Sequence, residues 1–206
     1  MTPSLLTVFV PTFFVVSLTP GMCMTLSMTL GMTIGVRRTF WMMYGELLGV
    51  GLVAASSVIG AAAVMLRYPA LFALLKSLGG LYLGYLGVQM WLSKGKLAVE
   101  LQAGPGAGTP GRSLALQGFV TAVANPKGWA FFIALLPPFI AESRPLLPQL
   151  AMLLSIILAI EFFCLTLYAG GGRSLSRLLQ QKGNVRLVNR IAGSLMIGVG
   201  VWLALG

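Results

Sequence analysis

Two short motifs combine residues able to do chemistry with a local break in the chain: Asn125-Pro126-Lys127-Gly128 and Thr19-Pro20-Gly21. Each lies near the middle of a long apolar run, residues 113–140 and residues 4–34. Each also reads as a helix start. Asn and Thr are favoured N-caps, and proline suits the first helical position because its missing N–H costs nothing there. Free N–H groups at a helix N-terminus carry partial positive charge and bind anions. The donors expected after the first break belong to Gly21, Met22 and Cys23, and those after the second to Lys127 and Gly128. Counting from Ser113 at roughly 1.5 Å per residue puts Lys127 about 20 Å into its run, well inside a hydrocarbon layer of about 30 Å. A cation at that depth is expensive and points to function. The chemistry predicted from Thr19, Pro20, Gly21, Asn125, Pro126, Lys127 and Gly128 is capture of a carboxylate or another small anion. Proline kinks without a binding role are the competing explanation, an even match for Pro20 alone and a weaker one for the pair with Lys127.

Only four acidic residues occur, Glu46, Glu100, Glu142 and Glu161, and of these Glu46 and Glu161 fall within apolar runs. Either could balance Lys127, hold a substrate ammonium or carry a coupling proton. Glu46 is expected about 9 Å from the near end of its helix, where a water-exposed interfacial position is an equal reading, and Glu161 in the corresponding half of a later one. With no histidine and so few carboxylates, neither a zinc nor a hard-cation centre is expected, and no cofactor. Cys23 and Cys164 also lie in apolar runs. A transmembrane thiol carrier would need both, but buried free cysteines mostly behave as small hydrophobes, and neither belongs to a Cys-x-x-Cys motif.

The elements that must position these groups follow from composition. The chain is 57% hydrophobic and 9% charged, against about 25% charged in a soluble domain. It therefore reads as an all-α integral membrane protein. Six spans are predicted at residues 4–34 (broken at Pro20), 40–66, 70–92, 113–140 (broken at Pro126), 148–170 and 187–205. Residues 93–112 form a Gly/Pro-rich linker between a first three-helix unit, 1–92, and a second, 113–206. Basic residues alternate in density. Arg37, Arg38, Lys94, Lys96, Arg112, Arg173, Arg177, Lys182, Arg186 and Arg190 lie in the first, third and fifth loops, against Arg67 and Arg144 in the second and fourth. That asymmetry predicts both termini outside the cytoplasm. The net charge of +10 then reflects contact with anionic lipid, and no nucleic-acid partner is expected.

Because each unit has an odd number of spans, the two must be inverted relative to one another, and paired interruptions in inverted units are the best sequence pointer to a transporter's binding site. Gly87-Val88-x-x-Trp91-Leu92 and Gly198-Val199-x-x-Trp202-Leu203 occupy matching places in the two units. Gly31/Gly35, Gly45/Gly49 and Gly80/Gly84 allow close helix packing, with intramolecular contact the favoured reading and a homodimer face the alternative. Trp41, Trp91 and Trp202 near span ends fit interfacial anchors. The N-terminus shows neither a basic region nor a convincing cleavage site, so the first run is expected to remain in place.

Several of these stretches together resemble the LysE/RhtB amino-acid exporter family over nearly the whole chain. Thr19-Pro20-Gly21 is similar to the family's Thr-Pro-Gly-Pro-Asn motif, and Asn125-Pro126-Lys127 followed by Phe131-Phe132 to its Asn-Pro-Lys-x-x-x-Phe-Phe motif. Leu136-Pro137-Pro138-Phe139, Tyr82-Leu83-Gly84-Tyr85-Leu86-Gly87 and Asn189-Arg190-Ile191-Ala192-Gly193 also fit. The chain departs at Met22-Cys23, where the family usually has Pro-Asn, which opens the way to a less polar substrate. The resemblance implies a non-enzymatic exporter of amino acids or their derivatives in the bacterial inner membrane, driven by an ion gradient, with protons as the expected coupling ion. A carboxylate would sit at the two half-helix starts and an ammonium near a membrane glutamate, with the two units rocking about Pro20 and Pro126 to alternate access. Export of a metal ion or another small metabolite, and thiol-redox transfer through Cys23 and Cys164, are the rival readings.

Overall fold

Proline and glycine punctuate the helices. The computed structural model describes residues 3–92, 108–141, 144–180 and 182–205, all of whose regular structure is helical. The helices are α1 (Pro3–Leu18), α2 (Met22–Ile34), α3 (Val36–Arg67), α4 (Pro69–Leu92), α5 (Gly111–Val123), α6 (Pro126–Leu135), α7 (Leu146–Gln180) and α8 (Lys182–Leu205). A single 3-10 turn, Pro137–Phe139, follows α6. Gly35 joins α2 to α3 at φ 82°, a left-handed conformation that favours glycine. Gly172, at φ 39°, interrupts α7.

Val36–Ala61, Leu146–Gly172 and Gly183–Trp202 are each long and apolar enough to cross a bilayer. Leu6–Leu18 and Met22–Ile34, bent by 54° at their junction, make a fourth such unit when taken together. At 13 and 10 residues, α5 and α6 are each too short to cross alone. Several boundaries differ from the sequence expectation. Helix α3 begins at Val36 rather than near residue 40, and α8 at Lys182 rather than near 187, because basic residues occupy their first turns at no cost outside the apolar layer. Gly111 and Arg112, expected in the linker, form the first turn of α5; linker residues 93–107, together with Glu100 and Glu142, lie outside the described residues.

The fold turns its apolar residues in both directions. Leu48 is 71% exposed while Glu46, two positions earlier on α3, is fully buried. Leu81, Leu116, Leu147 and Phe163 also face outward, the pattern expected where the surrounding solvent is hydrocarbon.

Helices from before and after residues 93–107 interleave. Helix α4 packs on α8, α3 on α5, and α2 on α7. Contact between α3 and α5 is backbone to backbone: a Cβ on Gly118 would fall on the Met42 carbonyl, and one on Gly45 on the Ala115 carbonyl. Gly87 and Gly193 also bring the backbones of α4 and α8 together, slightly less closely. Small residues in membrane helices allow this approach, and the Gly45/Gly49 pair serves it within the chain. Gly35 does not pack; it makes the turn.

Two apolar cores result. The larger contains Phe9, Phe13, Val50, Phe131, Phe132 and Phe139. The second is sulfur-rich, with Cys23, Met24, Met28, Met42, Met43 and Cys164.

Candidate functional site

Both interruptions open onto one place. At the first, α1 ends at Leu18, the Thr19 amide donates to the Val16 carbonyl at 3.2 Å, and Pro20 has no amide to continue the ladder. Gly21 is extended (φ −128°, ψ −171°) and is the N-cap of α2. Its carbonyl accepts the first bond of that helix, from Thr25 N at 2.9 Å. The amides of Met22, Cys23 and Met24 therefore make up the open first turn. Thr19 is not the cap that its position suggested. Its hydroxyl donates backward to the Val15 carbonyl at 2.9 Å, because a threonine Oγ1 easily reaches the preceding turn.

At the second interruption the Ala124 and Asn125 amides still close onto α5, donating to Val120 O at 2.8 Å and Ala122 O at 3.2 Å. Helix α6 then starts at Pro126, as expected for a proline at the first helical position. The anion-donor role assigned to Gly128 needs correction: its amide donates to the Asn125 carbonyl at 3.1 Å. A tightened first turn commonly consumes such a donor. Lys127 occupies the second position of α6; its side chain lies outside the described residues.

A break also strands carbonyls at the end of the helix before it, and hydrocarbon offers them no water. Here aromatic donors meet them. Tyr168 Oη on α7 donates to the Leu18 carbonyl at 2.8 Å, and Trp129 Nε1 on α6 donates to the Val123 carbonyl at 2.8 Å. Sequence reasoning missed both residues. Trp129 could have been noticed as a donor four residues after Asn125, but nothing local marks Tyr168, which lies 150 residues from its acceptor.

Between the breaks lies a cavity of about 80 Å³ lined by Thr19, Gly21, Cys23, Asn125 and Gly128 together with Glu46 and Glu161. Its apolar wall is Phe13, Val16, Val50, Val53, Phe131 and Phe132. At roughly 10–15 Å³ for each water-sized position, there is room for about five to eight waters or one small organic molecule. Pro20 and Pro126 shape the approach to the cavity without lining it.

Glu46 is fully buried; neither carboxyl oxygen makes a well-formed hydrogen bond among the described residues, but the group lies against the Glu161 carboxyl and the Cys23 thiol. An interfacial, water-exposed position is therefore wrong for it. Because α3 starts at Val36, Glu46 stands about 15 Å from the helix start rather than 9 Å. Glu161, 9% exposed on α7, reaches the same cavity, where it interacts with Glu46. A buried acid without a well-formed hydrogen bond is costly to keep. Cys23 and Cys164 are both buried and unbridged.

A model of the LysE type translocator family matches residues 14–206. The chain is 28% identical over 188 residues to a homoserine/homoserine lactone efflux protein of Salmonella typhi, covering 91% of this chain and 90% of that one. It is 27% identical over 200 residues to a leucine efflux protein of Enterobacter sp. strain 638, covering 96% and 93%. An uncharacterized membrane protein of Vibrio cholerae is 26% identical over 193 residues, covering 94% and 93%. No solved structure matches the chain at a significant level. The span of the family match and these relatives agree with the apolar helices and outward-facing leucines: this chain is a membrane protein belonging to the LysE type translocator family.

Proposed function

We propose that the chain is a secondary exporter of amino acids or their derivatives, with the cavity between the two breaks as its substrate site. One observation carries this reading: the first turn of α2, the start of α6 and both membrane glutamates border a single small cavity. The open amides of Met22, Cys23 and Met24 receive the substrate carboxylate, aided by Lys127 at the start of α6. Glu46 receives the ammonium. A proton gradient drives export, with Glu46 and Glu161 as the groups able to carry the proton.

On this reading the chain crosses the bacterial inner membrane six times, in two inverted three-helix units with both termini periplasmic. Interleaved packing supports the inverted arrangement, since each broken segment leans on the second span of the other unit: α2 on α7, α5 and α6 on α3. The same interleaving argues against two sequence halves rocking as separate bodies. Alternating access instead follows the seam between α2 with α7, which carry Cys23 and Glu161, and α3 with α5 and α6, which carry Glu46 and Asn125.

Efflux from proteoliposomes loaded with radiolabelled amino acids tests the reading. Gradient-dependent efflux of at least one amino acid, lost in Lys127→Ala, is the expected result. Unchanged efflux in normally inserted Lys127→Ala and Pro126→Ala variants would remove the breaks from the mechanism.

A further inference from the structure

Glu46 and Glu161 reach the cavity from opposite sides of the proposed seam. Glu46 comes from α3, is fully buried, and makes no well-formed hydrogen bond through either oxygen among the described residues. Glu161 comes from α7, is also buried, and its carboxyl lies against that of Glu46. Among the described residues no third acid borders the cavity. Other titratable groups nearby are few. The Cys23 thiol on α2 faces Glu46, and Cys164 follows Glu161 by three residues on α7. Tyr168 is committed to the Leu18 carbonyl. Lys127 stands at the start of α6, with its side chain outside the described residues. Helices α1 and α5 line the cavity without a titratable side chain, and no lining residue comes from α4 or α8.

Two ionised carboxyls in contact at a buried position repel each other and are poorly hydrated. One proton held between them removes a charge and supplies the hydrogen bond that Glu46 lacks. Resting on the export reading above, we propose that Glu46 and Glu161 act as one acceptor, sharing a single proton across the seam, and that the substrate's ammonium takes that proton's place. With the proton bound, a hydrogen bond joins the α2–α7 pair to the α3–α5–α6 group. With it gone, the two charges push these groups apart unless a cation lies between them. The proton leaves to the side from which the amino acid arrives, and another enters from the side to which the amino acid is released. Each amino acid exported is thereby exchanged for one proton.

Proteoliposomes of the purified full chain, loaded with an amino acid that it exports and with a pH-sensitive dye, count the protons. About one proton per amino acid is expected, because the pair titrates as a unit. In Glu46→Gln and in Glu161→Gln the amide is a permanent donor in the proton's place. Whatever efflux remains in either variant should therefore run equally fast with and without a pH gradient. About two protons per amino acid, or gradient-driven efflux retained in one of the two variants, would overturn the shared proton and leave amino-acid export standing. Efflux without proton movement would also overturn it, with Lys127 rather than a proton balancing the acids. Infrared spectra of the protein in detergent decide the same point without transport. A protonated-carboxyl band should be present in the wild type, vanish when an exported amino acid is added, and be missing from both variants. Its absence from the wild type, its persistence with that amino acid, or its survival in either variant would overturn the proposal. Efflux of no amino acid would remove the export reading, and the band in the wild type and the two variants would still decide whether the acids share a proton.

Discussion

The two breaks solve one problem with different reach. At the α1–α2 break three residues leave the helix, the axis bends by 54°, and the stranded Leu18 carbonyl is met by Tyr168 from α7. At the α5–α6 break only Ala124 and Asn125 intervene, and the Val123 carbonyl is met by Trp129, six residues further along the same segment. The first break is thus defined by tertiary structure and the second by its own sequence. A hinge whose geometry depends on a neighbouring helix moves with that helix. Ser27 Oγ donates to the Leu165 carbonyl at 2.8 Å, and Gly31 lies against the Ala169 backbone, so α2 is tied to α7 along its length. The α2–α7 pair carries Glu161 and the α3–α5–α6 group carries Glu46, so motion at the proposed seam would change the separation of the two acids.

Substitutions at the two breaks should part company accordingly, once the scaffold itself is set aside. The largest effect is expected at that scaffold. Gly118→Leu drives a side chain into the Met42 carbonyl and should cost about 3 kcal/mol or more, lowering the yield of monodisperse protein on size-exclusion chromatography to near zero. Next comes Tyr168→Phe, which strands the Leu18 carbonyl at a cost of about 1–2 kcal/mol. Because that bond also sets the angle of the first break, transport should fall about tenfold, more than the loss of stability alone explains. Trp129→Phe removes the equivalent bond at the second break for about 1 kcal/mol. Its thermal midpoint should drop by a similar amount, with transport reduced no more than threefold. If the two variants lose transport equally, the distinction between a tertiary and a local hinge is wrong. Ser27→Ala should cost only about 0.6 kcal/mol, the average for a hydrogen bond between membrane helices. The smallest effect is expected of the double variant Cys23→Ser, Cys164→Ser, which should keep transport within about twofold of wild type. Complete loss there would revive the thiol-carrier reading.

The comparison also separates what was legible in the sequence from what was not. Both interruptions were readable because proline acts locally, through its own missing amide and fixed φ. Glu46 and Glu161 were readable because acids are so scarce in apolar runs. Hydropathy misjudged the depth of Glu46 because it counts Arg37 and Arg38 as loop, whereas a helix can begin outside the apolar layer; Arg38 is anchored there through a 2.7 Å bond to the Thr109 carbonyl. Thr19 and Gly128 were misassigned because each donates to a backbone carbonyl three or four residues earlier, Val15 and Asn125, which spacing alone does not reveal. Tyr168 was invisible for a different reason. Its role exists only once α7 lies beside the end of α1. The apolar wall was half visible: Phe131 and Phe132 stood in a recognisable stretch, but Phe13, Val50 and Val53 are indistinguishable in sequence from lipid-facing neighbours such as Leu48 and Leu52.

The most direct test of the central claim uses Cys23 as a reporter inside the cavity. In a Cys164→Ser protein, the rate at which methyl methanethiosulfonate modifies Cys23 is measured with and without a saturating amino acid that the protein transports in the efflux assay. That amino acid should slow the reaction at least fivefold, and one that is not transported, at the same concentration, should not. An unchanged rate in the presence of a transported amino acid would place the substrate elsewhere and contradict the site.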